Sequence, residues 1–438
     1  MTTPHKRGLL CATKLGYQTR SFQAAADKLG VELAYVTDRC SHLDDPWNDR
    51  ALPVHFELPE VAAGAVLEAQ RGLPVDGILA VGDRPTVAAA YVARGLGLTY
   101  NHPASMEACR SKLRMRELMR EAGLPVPWFR AVPLQPPPEP SLLGIKYPCV
   151  LKPISLSASQ GVTRANNREE FIAGAARLKR LLDSPEILAT RERNRDQMIV
   201  EAYVDGKEVA VEALLTHGEL RILAIFDKPD PLVGPYFEET IYVTPSRLSM
   251  DEQRAVEASL LNCIRAVGLT HGPLHAEFRL NDKGAWPIEI AARPIGGLCA
   301  RALRFELQED RERIGFEELL LRHALGLPGS HGLRDEIASG VMMIPVPQSG
   351  VFEGVNGDNA ARMTKLITSL EITARLHDYI AAWPEGSSYL GFLFARGNDP
   401  RKVEQALREA HAKLHFTLAP RLPVEHPLTR KVSPGDFL

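Results

Sequence analysis

Gly272-Pro-Leu-His-Ala-Glu-Phe-Arg-Leu280, Asn281-Asp-Lys-Gly284 and Ala285-Trp-Pro-Ile-Glu-Ile-Ala-Ala-Arg-Pro-Ile-Gly-Gly297 read as two strands joined by a tight turn, followed by a glycine-ended loop. Period two puts His275, Glu277 and Arg279 on one face of the first strand, and Glu289, Ala291 and Arg293 on one face of the second. If the connecting loop has an odd number of residues, the two faces coincide and Glu277 and Glu289 point at one site. An even loop without a bulge separates them. Two carboxylates beside triphosphate oxygens suit magnesium, a hard ion usually held by one or two carboxylates together with phosphates. Arg293, with Arg279 as a second candidate, offers a guanidinium to a phosphoryl group on which charge builds. Cross-strand salt bridges would explain a lone Glu/Arg pair. They leave His275, both glutamates and Arg293-Pro-Ile-Gly-Gly297 unexplained.

Working outward, Tyr147-Pro-Cys-Val-Leu-Lys-Pro153 is a buried-strand pattern ending in Lys152, followed at once by Ser155-Leu-Ser-Ala-Ser-Gln-Gly161. The hydroxyls of such a loop, Ser157 and Ser159 among them, and its unhindered N–H groups up to Gly161 can fold over phosphates, with the lysine as a point charge beneath. G-x-x-x-x-G-K-[ST] is absent, and no G-x-G-x-x-G follows the first strand. Further on, Met198-Ile-Val-Glu-Ala-Tyr-Val-Asp-Gly-Lys-Glu-Val209 runs through Glu201, passes Tyr203-Val204, turns at Asp205-Gly206 and re-enters a strand at Glu208. An extended hinge of this kind can edge a flat base, and a carboxylate after the turn can accept both hydroxyls of a ribose.

A chain of 438 residues with 45% hydrophobic and 24% charged residues is globular and long enough for several cores. The net charge of -2 gives no electrostatic basis for binding nucleic acid or an anionic membrane. The start lacks a cleavable apolar segment, and no later stretch approaches membrane-spanning length, so a cytoplasmic protein is expected. Six scattered cysteines, Cys11, Cys40, Cys109, Cys149, Cys263 and Cys299, form no C-x-x-C pair and are expected to be reduced and mostly buried.

Residues 9–99 alternate short apolar runs with helical stretches, the βαβ pattern of a parallel sheet. Residues 105–122 read as one cationic helix bearing Arg110, Lys112, Arg114 and Arg116, and 134–140 as a stiff proline-rich linker. Strands then dominate to about 293, with a hairpin across His217-Gly218 and a helix over 251–267; from about 340 a smaller α+β part ends in a helix over 400–415. The expected class is α/β and α+β. The expected divisions are 1–104, 105–140, 141–205 and 206–438.

The order Lys112, Lys152 before a small-residue loop, Glu201 to Glu208, Glu277, then Glu289-x-x-x-Arg293 resembles the ATP-grasp superfamily over about 105–300. The resemblance implies an N-terminal Rossmann-like domain that binds no dinucleotide, a central lid subdomain and a third region completing the active site. It implies that Lys112 and Lys152 bind ATP phosphates, Glu201 and Val204 frame the adenine, and Glu208 holds the ribose. Glu277 and Glu289 would ligate magnesium, with manganese as a substitute, and Arg293 would stabilise an acyl phosphate. Many members carry Asn two residues after the second glutamate. Ala291 stands here, which leaves the number of metal ions open.

Glu-Ile-Ala-Ala-Arg with His-Ala-Glu before it, Asp227-Lys-Pro-Asp and Tyr236-Phe-Glu-Glu-Thr-Ile-Tyr-Val-Thr-Pro245 resemble the L-amino-acid ligase branch, which makes dipeptides. Gly350-Val-Phe-Glu-Gly-Val and Gly386-Ser-Ser-Tyr-Leu-Gly-Phe-Leu-Phe-Ala-Arg396 resemble its C-terminal domain. Some members place a bulky aromatic where Gly297 stands, which implies a roomier pocket. The implied partners are amino acids, and a homodimer is compatible with the resemblance. His275 either contacts a substrate or orients a glutamate, and Phe237-Glu238-Glu239 is either near the substrate amine or a solvated loop. The alternatives are an ATP-grasp ligase forming another amide and a regulatory ATP-binding protein without chemistry.

Overall fold

The computed structural model describes residues 6–13, 17–38, 51–140, 144–308 and 311–420; Cys40 lies outside them. The other five cysteines are free and buried. Among the described residues no helix is long and apolar enough to cross a membrane.

The N-terminal part is a parallel sheet in the order Leu52–Pro53, Glu32–Thr37, Arg7–Ala12, Gly77–Val81. Its crossovers carry the helices Tyr17–Leu29 and Pro59–Ala69. Asp83 lies just beyond the carboxyl end of Gly77–Val81, the end at which parallel sheets present ligand-binding loops.

The cationic segment is two helices, Pro103–Arg110 and Lys112–Glu121. Ser111 breaks it by taking an extended conformation, with its hydroxyl accepting from the Arg114 N–H. A serine inside a continuous charged pattern does not advertise this cap. The break frees the Lys112 N–H to donate to the Ile154 carbonyl (3.0 Å), which aims the second helix at the end of the Lys152 strand.

A four-stranded sheet in the order Phe129–Pro133, Gln197–Ala202, Cys149–Pro153, Thr163–Ala165 is covered by the helix Arg168–Leu182. Leu151, Phe171, Leu178, Met198 and Val200 form its core. Its first strand precedes residue 141, where the sequence reading begins the lid. The proline-rich segment departs from a free linker at its start: Leu134 is buried, and its N–H donates to the Asp196 carbonyl (2.8 Å).

The largest sheet has eight strands, in the order Gly284–Ala291, Gly272–Asn281, Lys207–Thr216, Glu219–Asp227, Ile241–Thr244, Ala338–Ile344, Gly391–Gly397, Ile367–Ile372. Strands beyond 340 thus extend the same sheet that carries the carboxylate hairpin. The last helix, Pro400–His411, stops short of 415 because His415–Ala419 pairs with Gly350–Asn356. A single apolar cluster joins Leu10, Phe22 and Leu79 of the N-terminal part to Phe226, Tyr242, Phe305 and Phe392. Each large side chain so buried contributes roughly 1.5–3 kcal/mol, enough to fix the N-terminal sheet against the large one.

Candidate functional site

The turn between the carboxylate strands has two residues, Asp282 and Lys283, with Asn281 opposite Gly284. An even loop would turn Glu277 and Glu289 to opposite faces, but a bulge reverses this. Phe278 pairs with Pro287 and Glu277 with Glu289, leaving Ile288 as the extra residue. Pro287 has no N–H for the ladder, which favours a break there. The Ile288 carbonyl accepts from Arg116 Nη2 (2.8 Å), and Arg116 Nε donates to Glu201 Oε1 (2.8 Å). Glu201 Oε2 in turn pairs with Lys152 Nζ (2.7 Å). The bulge, Arg116, Glu201 and Lys152 are therefore one buried chain of contacts.

Burial alone would raise the Glu201 carboxyl, but Arg116 and Lys152 outweigh it and hold it down to about 2. The Lys152 ammonium is pushed below its ordinary range by burial, with Arg116 adding and Glu201 opposing. Lys112 Nζ donates to the Leu156 carbonyl (2.7 Å) in the small-residue loop and lies 3.3 Å from Glu289 Oε1. One ammonium thus connects that loop to the hairpin.

Lys228 lies among three carboxylates, at 2.9 Å from Glu208, 2.5 Å from Glu239 and 3.0 Å from Glu277. Oxygens of the three glutamates come within 4.8 Å of one another, close enough to gather around a cation. Burial and the facing Glu277 carboxylate push Glu239 up to about 7, against the pull of Lys228. Glu277 goes the other way, because Lys228 and His275 overcome its burial. Glu239 therefore faces the cluster, and its neighbour Phe237 is buried, so this stretch is not a solvated loop.

His275 has acids on both sides: Nδ1 is 2.5 Å from Glu212 and Nε2 is 3.5 Å from Glu277. Burial disfavours its charged form, but Glu212 raises it to about 9. Glu212 also accepts from the Ile295 N–H (3.1 Å), tying His275 to the turn after Arg293. Arg279 is held at the hinge. Its Nε reaches Glu208 (2.7 Å), and its two terminal nitrogens reach the Val204 and Leu232 carbonyls (both 2.6 Å). Three of its five N–H groups are used in this way, and they brace the hinge against the hairpin. Gly206 permits the approach of hinge to hairpin: at φ +113 an added Cβ would stand 2.0 Å from the Leu280 carbonyl oxygen.

Arg293 pairs with Asp83 through two parallel bonds (3.0 and 3.1 Å). Two openings meet here. A slot of about 60 Å³ is lined by Lys112, Lys152, Glu201, Val204, Glu208 and Phe237. A cavity of about 660 Å³ takes in Ser157, Ser159, His275, Arg293, Gly297 and Tyr389. Leu156, Ser159, Glu277 and Glu289 line both. Gly161 stands behind the loop, its N–H facing the Pro384 carbonyl at 3.4 Å. The space at Gly297 is not open as the missing side chain implied, because the Phe392 ring lies against it.

Sequence reasoning left four supporting residues without a role, Asp83, Arg116, Glu212 and Lys228, and left Glu239 between the substrate amine and a solvated loop. The position of Asp83 after a parallel strand and Lys228 within Asp227-Lys-Pro-Asp were available signals. Glu212 and Arg116 sat in ordinary strand and helix patterns.

Residues 145–302 match the ATP-grasp domain and residues 342–419 match L-amino acid ligase C-terminal domain 2. The chain is similar to the crystal structure of an L-amino acid ligase from Bacillus licheniformis, with 25% identity and a TM-score of 0.78 over 95% of this chain and 100% of that one. It is 29% identical over 216 residues to an alanine–anticapsin ligase of Bacillus subtilis, covering 46% of this chain and 44% of the relative. It is 25% identical over 318 residues to the ATP-grasp enzyme fsqD of Aspergillus fumigatus, covering 63% and 53%. The chain spans about half the length of these curated relatives. The chain thus carries an ATP-grasp domain over residues 145–302 followed by an L-amino acid ligase C-terminal domain 2 over residues 342–419, on a fold that aligns along nearly its whole length with that of an L-amino acid ligase.

Proposed function

We propose that the protein is an ATP-dependent carboxylate–amine ligase that joins two amino acids into a dipeptide, releasing ADP and phosphate. The observation that carries this reading is the bulge-made pairing of Glu277 with Glu289, flanked by Lys112 and followed by Arg293. The donor set fits magnesium or manganese: two facing carboxylates at the junction of the slot and the cavity, with room left for phosphate oxygens. Glu277 and Glu289 would hold the ion, which when bound neutralises charge on the phosphates.

The lining of the slot, rather than its volume, suits a nucleotide. Tyr203 and Phe237 stack (ring centroids 6.5 Å apart) beside the extended 202–205 hinge, which supplies an apolar wall for a base, and Glu208 stands after the turn for the ribose. Lys112, Lys152 and the Ser159 hydroxyl line the slot, Ser157 lines the adjoining cavity, and in this reading they would face the phosphates. In the first step, a carboxylate oxygen of one amino acid attacks the γ-phosphorus and ADP leaves. In the second, the uncharged amine of another attacks the acyl carbon and phosphate departs. Three of the five N–H groups of Arg293 are bound by Asp83 and the Pro294 carbonyl, so two remain for the acyl phosphate. Closure by residues 155–161 would keep water from the acyl phosphate.

An ADP-release screen over amino-acid pairs, with mass spectrometry of the products, tests the reading. A dipeptide mass with stoichiometric ADP is expected. ADP formed only with non-amino-acid amines would move the assignment to another amide, and nucleotide binding without ADP under every pair would make the protein a regulator.

A further inference from the structure

Gly297 ends the segment that carries Arg293, and its φ of +63 lies where a side chain is strained. An ideal Cβ there would lie 3.1 Å from both Cε1 and Cζ of Phe392, tighter than ordinary contact. The ring therefore rests on the bare Cα edge of residue 297, and the volume that glycine vacates is filled from a distant strand.

Phe392 belongs to Gly391–Gly397, in the part of the large sheet contributed by the C-terminal domain, where it pairs with Met343 on one side and Glu371 on the other. It is buried yet lines the cavity. Its ring stacks on Phe394 (6.4 Å) and meets Tyr389 edge-on (6.3 Å), and Tyr389 is itself stacked on Trp383 (5.3 Å). Met343, Tyr389 and Cys299 line the cavity around it. A ring braced on several sides keeps its rotamer, so this wall does not yield to an entering group. The polar end of the same cavity holds Arg293 and Glu289.

We infer that Phe392 is the specificity-determining residue for the amino acid whose carboxyl is activated: with that carboxyl at the Arg293 end, its side chain runs toward the Phe392 wall and is limited in length by it. The inference rests on the ligase reading for which substrate is meant, and on the packing alone for which residue forms the wall. The side chain that meets this wall meets apolar surface, Phe392 with Met343 and Tyr389, and the ring sets how far it can extend on that side. A pocket of this kind discriminates by roughly 1–3 kcal/mol per methylene, or about 10–200-fold.

The test compares the wild-type protein with Phe392→Ala and Phe392→Leu, using alanine, leucine and phenylalanine as the varied carboxyl donor. Two readouts are taken: kcat/KM from ADP release, and calorimetric binding of each amino acid in the presence of a non-hydrolysable ATP analogue. In Phe392→Ala the phenylalanine-to-alanine ratio is expected to rise at least about tenfold in both, with a smaller rise in Phe392→Leu. Phe392→Leu, which keeps most of the packing volume, carries the test if the alanine variant fails to fold. An unchanged ratio in a variant that still binds the nucleotide analogue overturns the inference. A shift in binding selectivity without turnover under any pair would sink the ligase reading and leave the wall assigned. Turnover with an unshifted profile does the reverse.

Discussion

Arg293 and Asp83 are joined by two parallel hydrogen bonds although 210 residues separate them, so the N-terminal sheet holds the guanidinium that faces the cavity. Asp83 is kept ionised below its usual range because Arg293 outweighs its burial. In Asp83→Asn one of the two bonds loses its acceptor and Arg293 is free to swing. A misplacement of about 1 Å costs on the order of a hundredfold in rate. The expected result is a fall in kcat of that size with nucleotide affinity within about threefold of wild type, read from steady-state ADP release and analogue binding. Equal losses in both would point to a displaced N-terminal domain instead.

Glu201 anchors two buried cations, and its removal should be felt in stability before it is felt in catalysis. Glu201→Gln leaves Arg116 and Lys152 without their carboxylate, a loss of about 3–5 kcal/mol. The sign with pH follows from a folded value near 2, below the ordinary 4.5. The stabilisation is complete above about 4.5 and is lost as pH falls toward 2. Urea denaturation should therefore show a constant gap between the two proteins from pH 8 to 5. The gap should narrow below that, and a gap that widens in acid contradicts the assignment.

Much of this was legible in the sequence, and what was not has identifiable causes. The N-terminal βαβ pattern and both hairpins showed in their periodicity, because their apolar positions are set by burial on fixed faces. The coincidence of Glu277 and Glu289 was left to loop parity. It is realised by a bulge at Ile288, whose only local sign is Pro287 inside a strand. The break at Ser111 was hidden because the flanking residues are good helix formers on both sides. Arg116 and Glu212 acquire their roles only through contacts between segments far apart in the chain, which no local pattern reports. Gly297 shows the opposite error. A missing side chain suggested space, and a strand ninety-five residues on fills it.

Lys228 is surrounded by Glu208, Glu239 and Glu277, and its ammonium is held well above its ordinary range because the three carboxylates outweigh its burial. Lys228→Met leaves three acids facing one another and should cost about 3–5 kcal/mol at neutral pH. Burial and Glu277 already hold the Glu239 carboxyl up at about 7, above its ordinary 4.5, and removing the cation takes away the charge that opposes them. The deficit should thus be smallest below pH 4.5 and grow as pH rises through neutrality. Added magnesium should recover part of the loss, since the three acids can then gather around an ion. Thermal melts at pH 5 and 8, with and without magnesium, read all three effects.

Glu289 provides the sharpest separation of site from scaffold. Its side chain is 24% exposed, and its one described ion pair is the 3.3 Å contact with Lys112. Lys112 keeps its stronger bond to the Leu156 carbonyl when that contact is lost. Partly exposed pairs are worth about 1 kcal/mol or less, so Glu289→Ala should melt within a few degrees of wild type. Its metal site would lose one of two carboxylates at the junction where the phosphates lie. Ligation should then fall by at least about a hundredfold, and manganese binding, followed by electron paramagnetic resonance in the presence of nucleotide, should weaken in parallel. Near-normal activity in a folded Glu289→Ala protein would remove Glu289 from the metal site. Lost activity with undiminished manganese binding would leave the residue necessary but assign the ion to other ligands, with the Glu208, Glu239 and Glu277 cluster the next to examine.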